Sequence, residues 1–96
     1  MTYVTLVTLT EQGIAEIGES PQRAAAFTRE AEKLNIKVRE TYWTLGDYDG
    51  VLIFDAPDEE SATAALLSLG RGKNVKTNTL RAFDRTEIVS VLEKLS

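Results

Sequence analysis

Residues 50–56, GVLIFDA, are apolar at nearly every position. A strand with one wet face alternates in polarity; this stretch does not, so it reads as a strand covered on both sides. Val51 and Ile53 point one way, and Leu52 and Phe54 the other. Any fold the chain adopts must therefore supply apolar cover to two faces of one strand.

The flanking sequence says what is available. Residues 3–10, YVTLVTLT, form a first strand rich in β-branched types, with Val4 and Leu6 on one face and Tyr3, Thr5 and Val7 on the other. Gly13 sits in an expected loop. Ser20-Pro21 reads as an N-cap followed by proline at the first helical position. Ala24, Phe27, Ala31 and Leu34 then make one helix face, with Asn35 as the stop. Alternation returns over residues 36–44, placing Ile36, Val38, Tyr42 and Thr44 on one face and Lys37, Arg39, Thr41 and Trp43 on the other. Gly46-Asp47 is a turn signal, so strands two and three make a hairpin.

Pro57-Asp58 opens a second helix, with Glu59 and Glu60 in the first turn, where the helix dipole favours acids. Ala62, Ala65, Leu66 and Leu69 are its apolar stripe, and Gly70 reads as its C-terminal cap. Residues 74–83, NVKTNTLRAF, form a last strand. Asp84 or Thr86 caps a short third helix carrying Ile88, Val91, Leu92 and Leu95.

The order is βαββαβ plus a C-terminal helix in one 96-residue domain. This predicts an α+β, ferredoxin-like fold with a four-stranded antiparallel sheet. Two helices cover one face of such a sheet. The other face cannot be fully polar, because the third strand offers Val51 and Ile53 on one side and Leu52 and Phe54 on the other, and the first strand offers Val4 and Leu6 against Val7 and Leu9. An uncovered apolar face is a contact surface. A second copy packed sheet to sheet is the simplest cover. The frequent threonines, Thr5, Thr8, Thr41, Thr44, Thr77 and Thr79, suit either a wet cavity between sheets or a solvent-facing strand surface.

Composition narrows the chemistry. There is no cysteine and no histidine. Disulfides, thiolate nucleophiles, Ser-His and Cys-His triads and ordinary zinc sites are excluded. The expectation is no metal and no cofactor. The net charge of −4 argues against a nucleic-acid partner, and no apolar run approaches membrane-spanning length. A cytoplasmic location is expected. Charge is uneven: residues 46–60 hold six acids and no base, whereas Arg71, Lys73, Lys76 and Arg81 cluster without an acid over 71–81. Such opposite patches suit self-association or are simply solvated edges.

The stretches YVTLVTLTEQGI at 3–14, SPQRAAAF at 20–27, YWTLGDYDGVLIFDAPDEE at 42–60 and NVKTNTLRAF at 74–83 together resemble the GYD family of small bacterial and archaeal proteins. The pattern that names the family reads here as Gly46, Asp47, Tyr48, Asp49. The chain departs from it at Lys73, Lys76 and Asn78, where glycine, arginine and an acid are common. The resemblance implies a ferredoxin-like domain related to the dimeric α/β barrels and no established catalytic activity.

Two stretches are candidate sites. Around YWTLGDYDG, Tyr42, Trp43 and Tyr48 would wall a cleft, with Asp49 fixing a polar ligand. The competing reading is structural: Gly46 for positive φ, Asp47 for the turn, Tyr48 as a lid on the core, Asp49 as a cap on backbone N–H groups. In the last strand Lys76, Asn78 and Arg81 would recognise an anion, or would guard a sheet edge against aggregation. The expected function is a homo-oligomeric module binding a small polar or aromatic molecule. The alternatives are a cofactor-independent enzyme of the dimeric α/β barrel type, oxygenase- or isomerase-like, and a purely structural assembly protein.

Overall fold

The computed structural model describes residues 1–95. Its strands are β1 (Thr2–Leu9), β2 (Lys37–Trp43), β3 (Gly50–Asp55) and β4 (Val75–Ala82). Its helices are α1 (Glu11–Ala15), α2 (Ser20–Glu32), α3 (Glu59–Arg71) and α4 (Arg85–Glu93), with a 3-10 turn at Ile17–Glu19. The sheet runs β2-β3-β1-β4, antiparallel throughout. This is the ferredoxin-like α+β fold that the element order predicts.

The register decides which side chains meet the helices. Tyr3 pairs with Phe54, and Thr5 pairs with Leu52 on one side and Thr79 on the other. These residues face α2 and α3, whose Ala31, Ala62 and Ala65 complete the buried core with Ile36 and Ala56. Small residues on the helices bring the backbones close to the sheet, so bulk comes from the strands. Tyr3 and Phe54 stack with ring centroids 5.4 Å apart. The Thr5 and Thr79 hydroxyls lie 2.9 Å apart and satisfy each other. These two threonines therefore serve the helix-side core, not a wet chamber.

The opposite face carries Val4, Leu6, Val51, Ile53 and Leu80. None of these five is fully buried, and Leu80 is exposed. The molecule is 51 Å long but only 18 Å in its thinnest direction. That thickness holds one sheet and one helix layer, so β3 has cover on one side only.

Four local expectations need correcting. A β-bulge between Val38 and Glu40 shifts the β2 register. Val38 pairs with Phe54 on the helix side, but Tyr42 pairs with Val51 on the open side. Strict alternation had put them together; the extra residue reverses the faces beyond it. Second, the loop containing Gly13 is the short helix α1, capped by the Thr10 hydroxyl, which accepts from Gly13 N–H at 3.1 Å. Third, Ser20 is not an N-cap, because the preceding 3-10 turn runs into α2 and leaves no side-chain cap there. Fourth, α3 passes through Gly70 to Arg71; the cap is Gly72 and the left-handed residue is Lys73, at φ 66°.

Other ends fall where expected. Asn35 is left-handed, at φ 59°, just beyond α2. Asp84 caps α4 in a reciprocal box with Glu87. The apolar stripe of α4, however, is not in the core: Ile88, Val91, Leu92 and Leu95 are all exposed.

Two helix-start carboxylates set an acid response. The Asp58 carboxyl is held below its ordinary value by the Ser61 N–H it accepts, at 2.7 Å. Glu87 is lowered first by the Asp84 N–H and then by Arg81. A carboxylate with a depressed folded pKa adds stability above its unfolded value and loses it as pH falls through the folded one. Melting temperature should therefore drop on acidification through the carboxylate range. Asp58→Asn keeps a competent cap without the titration. It should leave the neutral-pH melt nearly unchanged and flatten the acid side; a parallel acid limb would refute the assignment.

Candidate functional site

A pocket opens on the helix side of the sheet, between α2 and the hairpin end of β1–β3. Its volume is about 110 Å³. The walls are apolar: Val7 and Leu9 from β1, Leu52 from β3, Ala24 and Phe27 from α2, Leu69 from α3. Two charged residues reach it, Arg23 and Asp49.

The YWTLGDYDG turn forms one end of this pocket, and the β2 bulge determines how. Trp43 lies on the helix side, paired with Gly50, and its indole N–H donates to the Ser20 hydroxyl at 3.0 Å. Ser20, misread as a cap, thus fixes the indole against α2. Tyr42 borders the same end, but its register turns its side chain to the open face. There its hydroxyl donates to Glu40 at 3.0 Å. That hydrogen bond, followed by the Glu40 charge, raises the Tyr42 pKa above its ordinary value, so the phenol keeps its proton.

Asp49 is tied into the backbone. Its carboxylate accepts from Leu9 N–H at 2.8 Å, and its own N–H donates to Val7 carbonyl at 2.8 Å. The Thr44 hydroxyl closes the turn on the Tyr48 carbonyl at 2.7 Å. Gly46 has φ 113°, a region that side chains rarely adopt. The turn is therefore built structurally, while Trp43 and Asp49 also face the pocket. Tyr48 is half-buried and is not among the lining residues.

The basic-strand candidates lie elsewhere. Lys76 and Asn78 pair with Thr8 and Leu6 on the open face, at the β4 edge. Arg81 is on the helix side and is engaged within the fold. Its guanidinium pairs with Glu87 at 3.1 Å, donates to the Thr2 and Ala82 carbonyls, and lies 4.5 Å from the Phe83 ring centroid. The seven candidates thus divide between two faces: Trp43 and Asp49 at the pocket, Tyr42, Lys76 and Asn78 on the open side, Arg81 as a pin under α4, and Tyr48 in the turn.

The residue that sequence reasoning missed is Arg23. The signal was present. Position 23 stands beside Ala24 and four residues before Phe27, on the edge of the apolar stripe of α2, and a charge occupies it. Arg23 donates through Nη1 to the Glu16 carbonyl at 3.2 Å, whereas Nη2 is buried with no partner.

Among the described residues no group of three carboxylates is placed to hold a metal ion, and no helix is long and apolar enough to cross a membrane. Fold and pocket together define a two-layer ferredoxin-like domain with an apolar chamber under its first long helix. The chain belongs to the GYD domain family, whose model matches residues 3–92. A Thermus thermophilus relative described as "Glutamine synthetase and cystathionine beta-lyase binding protein" is 31% identical over 93 residues, covering 96% of this chain and 98% of its own. The crystal structure of TTHA0845, also from Thermus thermophilus, superposes with a TM-score of 0.53 at 24% identity, over 88% of this chain and 98% of that one. The de novo designed protein Foldit4 reaches the same score at 13% identity, over 88% of this chain and 96% of its own. These two likenesses show the fold.

Proposed function

We propose that this protein is a non-catalytic homo-oligomeric binding module. Two copies join through the open sheet face, each keeps a small-molecule pocket on its helix side, and the assembly docks on a protein partner. The observation that carries this is the uncovered face of Val4, Leu6, Val51, Ile53 and Leu80 in a molecule two layers thick. A face like this on a 96-residue chain is a contact surface before it is anything else. The description of the Thermus thermophilus relative as a binding protein supports the docking role.

Size says how the copies meet. Four strands about 4.8 Å apart, each about seven residues long, give a footprint of roughly 450 Å². A standard interface takes roughly 800 Å² from each partner. The sheet alone falls short, and the exposed stripe of α4 is the apolar surface that remains. In this reading α4 reaches onto the second copy. The chemistry of the pocket favours binding over catalysis: its volume of about 110 Å³ is walled mainly by apolar side chains, with Arg23 and Asp49 as the charged groups that reach it.

Light scattering on a gel-filtration column tests the association. The wild type should run as a dimer or larger. Ile53→Lys puts a charge in the middle of the face without touching the helix-side core, so it should give a folded monomer. Leu92→Glu should weaken association by about tenfold, as expected for a charge on a contact residue. A wild type that is monomeric at tens of micromolar would end this reading.

A further inference from the structure

We infer that the helix-side pocket binds a small apolar carboxylate, with the Arg23 guanidinium receiving the carboxylate and the apolar walls enclosing the rest. This rests on the binding-module reading and names the ligand class for its pocket. Three observations converge. The chamber is lined mainly by apolar side chains and has a volume of about 110 Å³. Arg23 lines it from the first turns of α2 and is anchored through Nη1 to the Glu16 carbonyl at 3.2 Å. Its Nη2 is shielded from solvent and has no hydrogen-bond partner.

A buried charged donor without an acceptor is costly, and folded proteins rarely keep one without a reason. The other charged group at the pocket has different needs. Asp49 already accepts the Leu9 N–H at 2.8 Å, so the unmet demand of the site is for an acceptor. A planar guanidinium matches a carboxylate in geometry as well as charge. A phosphate dianion would call for several donors, and the lining offers one cationic side chain. Glu16 and Glu19 border the outer groove on the other side of Arg23.

The test is an NMR titration of the full chain with four probes of one size: benzoate, benzamide, benzylamine and toluene. Benzoate should shift the Arg23 side-chain signal and the amides of Leu9, Leu69 and Val75. Benzamide should bind about tenfold more weakly, because it loses the charge-assisted bond, and benzylamine more weakly still. Arg23→Gln should lose benzoate by a similar factor yet keep toluene, and Arg23→Lys should restore part of the loss. Equal binding of benzoate and benzamide overturns the inference, as does unchanged benzoate affinity in a folded Arg23→Gln. Should that variant fail to fold, the benzoate–benzamide pair on the wild type still decides. Toluene binding without benzoate would leave the pocket standing and remove the carboxylate; binding by none of the four would remove both.

Discussion

Phe54→Ala is expected to remove roughly 3–5 kcal/mol of folding stability, at the upper end for a single truncation. Phe54 is 0% exposed and stacks on Tyr3, with ring planes 19° apart. Phe54, Ile36 and Thr5 are the largest side chains that are fully buried. The helices meet the ring through Ala31, Ala62 and Ala65, which have no reach to fill a void. Collapse would require α2 and α3 to move toward the sheet, against the close backbone packing that those alanines already create. A domain of this length holds about 5–14 kcal/mol in total, so the variant would be close to unfolding. Urea denaturation at fixed protein concentration measures it, with Phe54→Leu as the milder comparison. A loss under about 1.5 kcal/mol would show that the core relaxes, and that the helix layer is looser than its alanines suggest.

Phe54 was legible because GVLIFDA is legible. Its even-numbered residues face the helices and its odd-numbered ones the open side, as the alternation requires. The same clarity holds for Asn35, whereas the cap of α4 stayed between Asp84 and Thr86 until the reciprocal box with Glu87 selected Asp84. The end of α3 was misplaced at Gly70, because a second glycine, Gly72, stands two residues further on and is the cap. The helix runs one residue past Gly70, and the left-handed position falls to Lys73.

The bulge between Val38 and Glu40 was not legible at all. Val-Arg-Glu-Thr has no glycine and no break in β propensity, and the register shift comes from pairing with β3. It matters most for the site, because it sends Tyr42 and Trp43 to opposite faces. An aromatic cluster in sequence is thereby divided in space. Arg23 failed to register for the opposite reason: it sits in an obvious helix but on the edge of its apolar stripe. Its meaning depends on what Nη2 lacks, which only three-dimensional packing reveals. The α4 stripe was read correctly as apolar, but its exposure contradicts the assumption that apolar stripes find their cover within one chain.

Gly13→Ala should cost about 2–3 kcal/mol, although helix propensity alone argues the other way. Alanine in a helix gains up to about 1 kcal/mol over glycine. At position 13 the new Cβ would stand 2.1 Å from the Asn74 carbonyl oxygen and 3.0 Å from its carbon. Both are backbone atoms, so no rotamer change relieves the overlap. Helix α1 must lift, and lifting strains Thr10 N–H on Asn74 at 3.0 Å and the Thr10 hydroxyl on Lys73 at 2.6 Å. Overpacking of about 1–3 kcal/mol and two weakened hydrogen bonds of about 1 kcal/mol each exceed the propensity gain. Gly18→Ala is the control: nothing lies within 4 Å of its Cβ, so it should be neutral or slightly stabilising. The Gly13 variant should also disturb the pocket, since the same Cβ comes within 3.2 Å of Leu9 Cδ2, and Leu9 is a pocket wall. Benzoate affinity should therefore fall in Gly13→Ala and stay unchanged in Gly18→Ala. If both variants melt with the wild type, the close approach of α1 to the start of β4 does not hold in solution, and the pocket would have to be shaped without it.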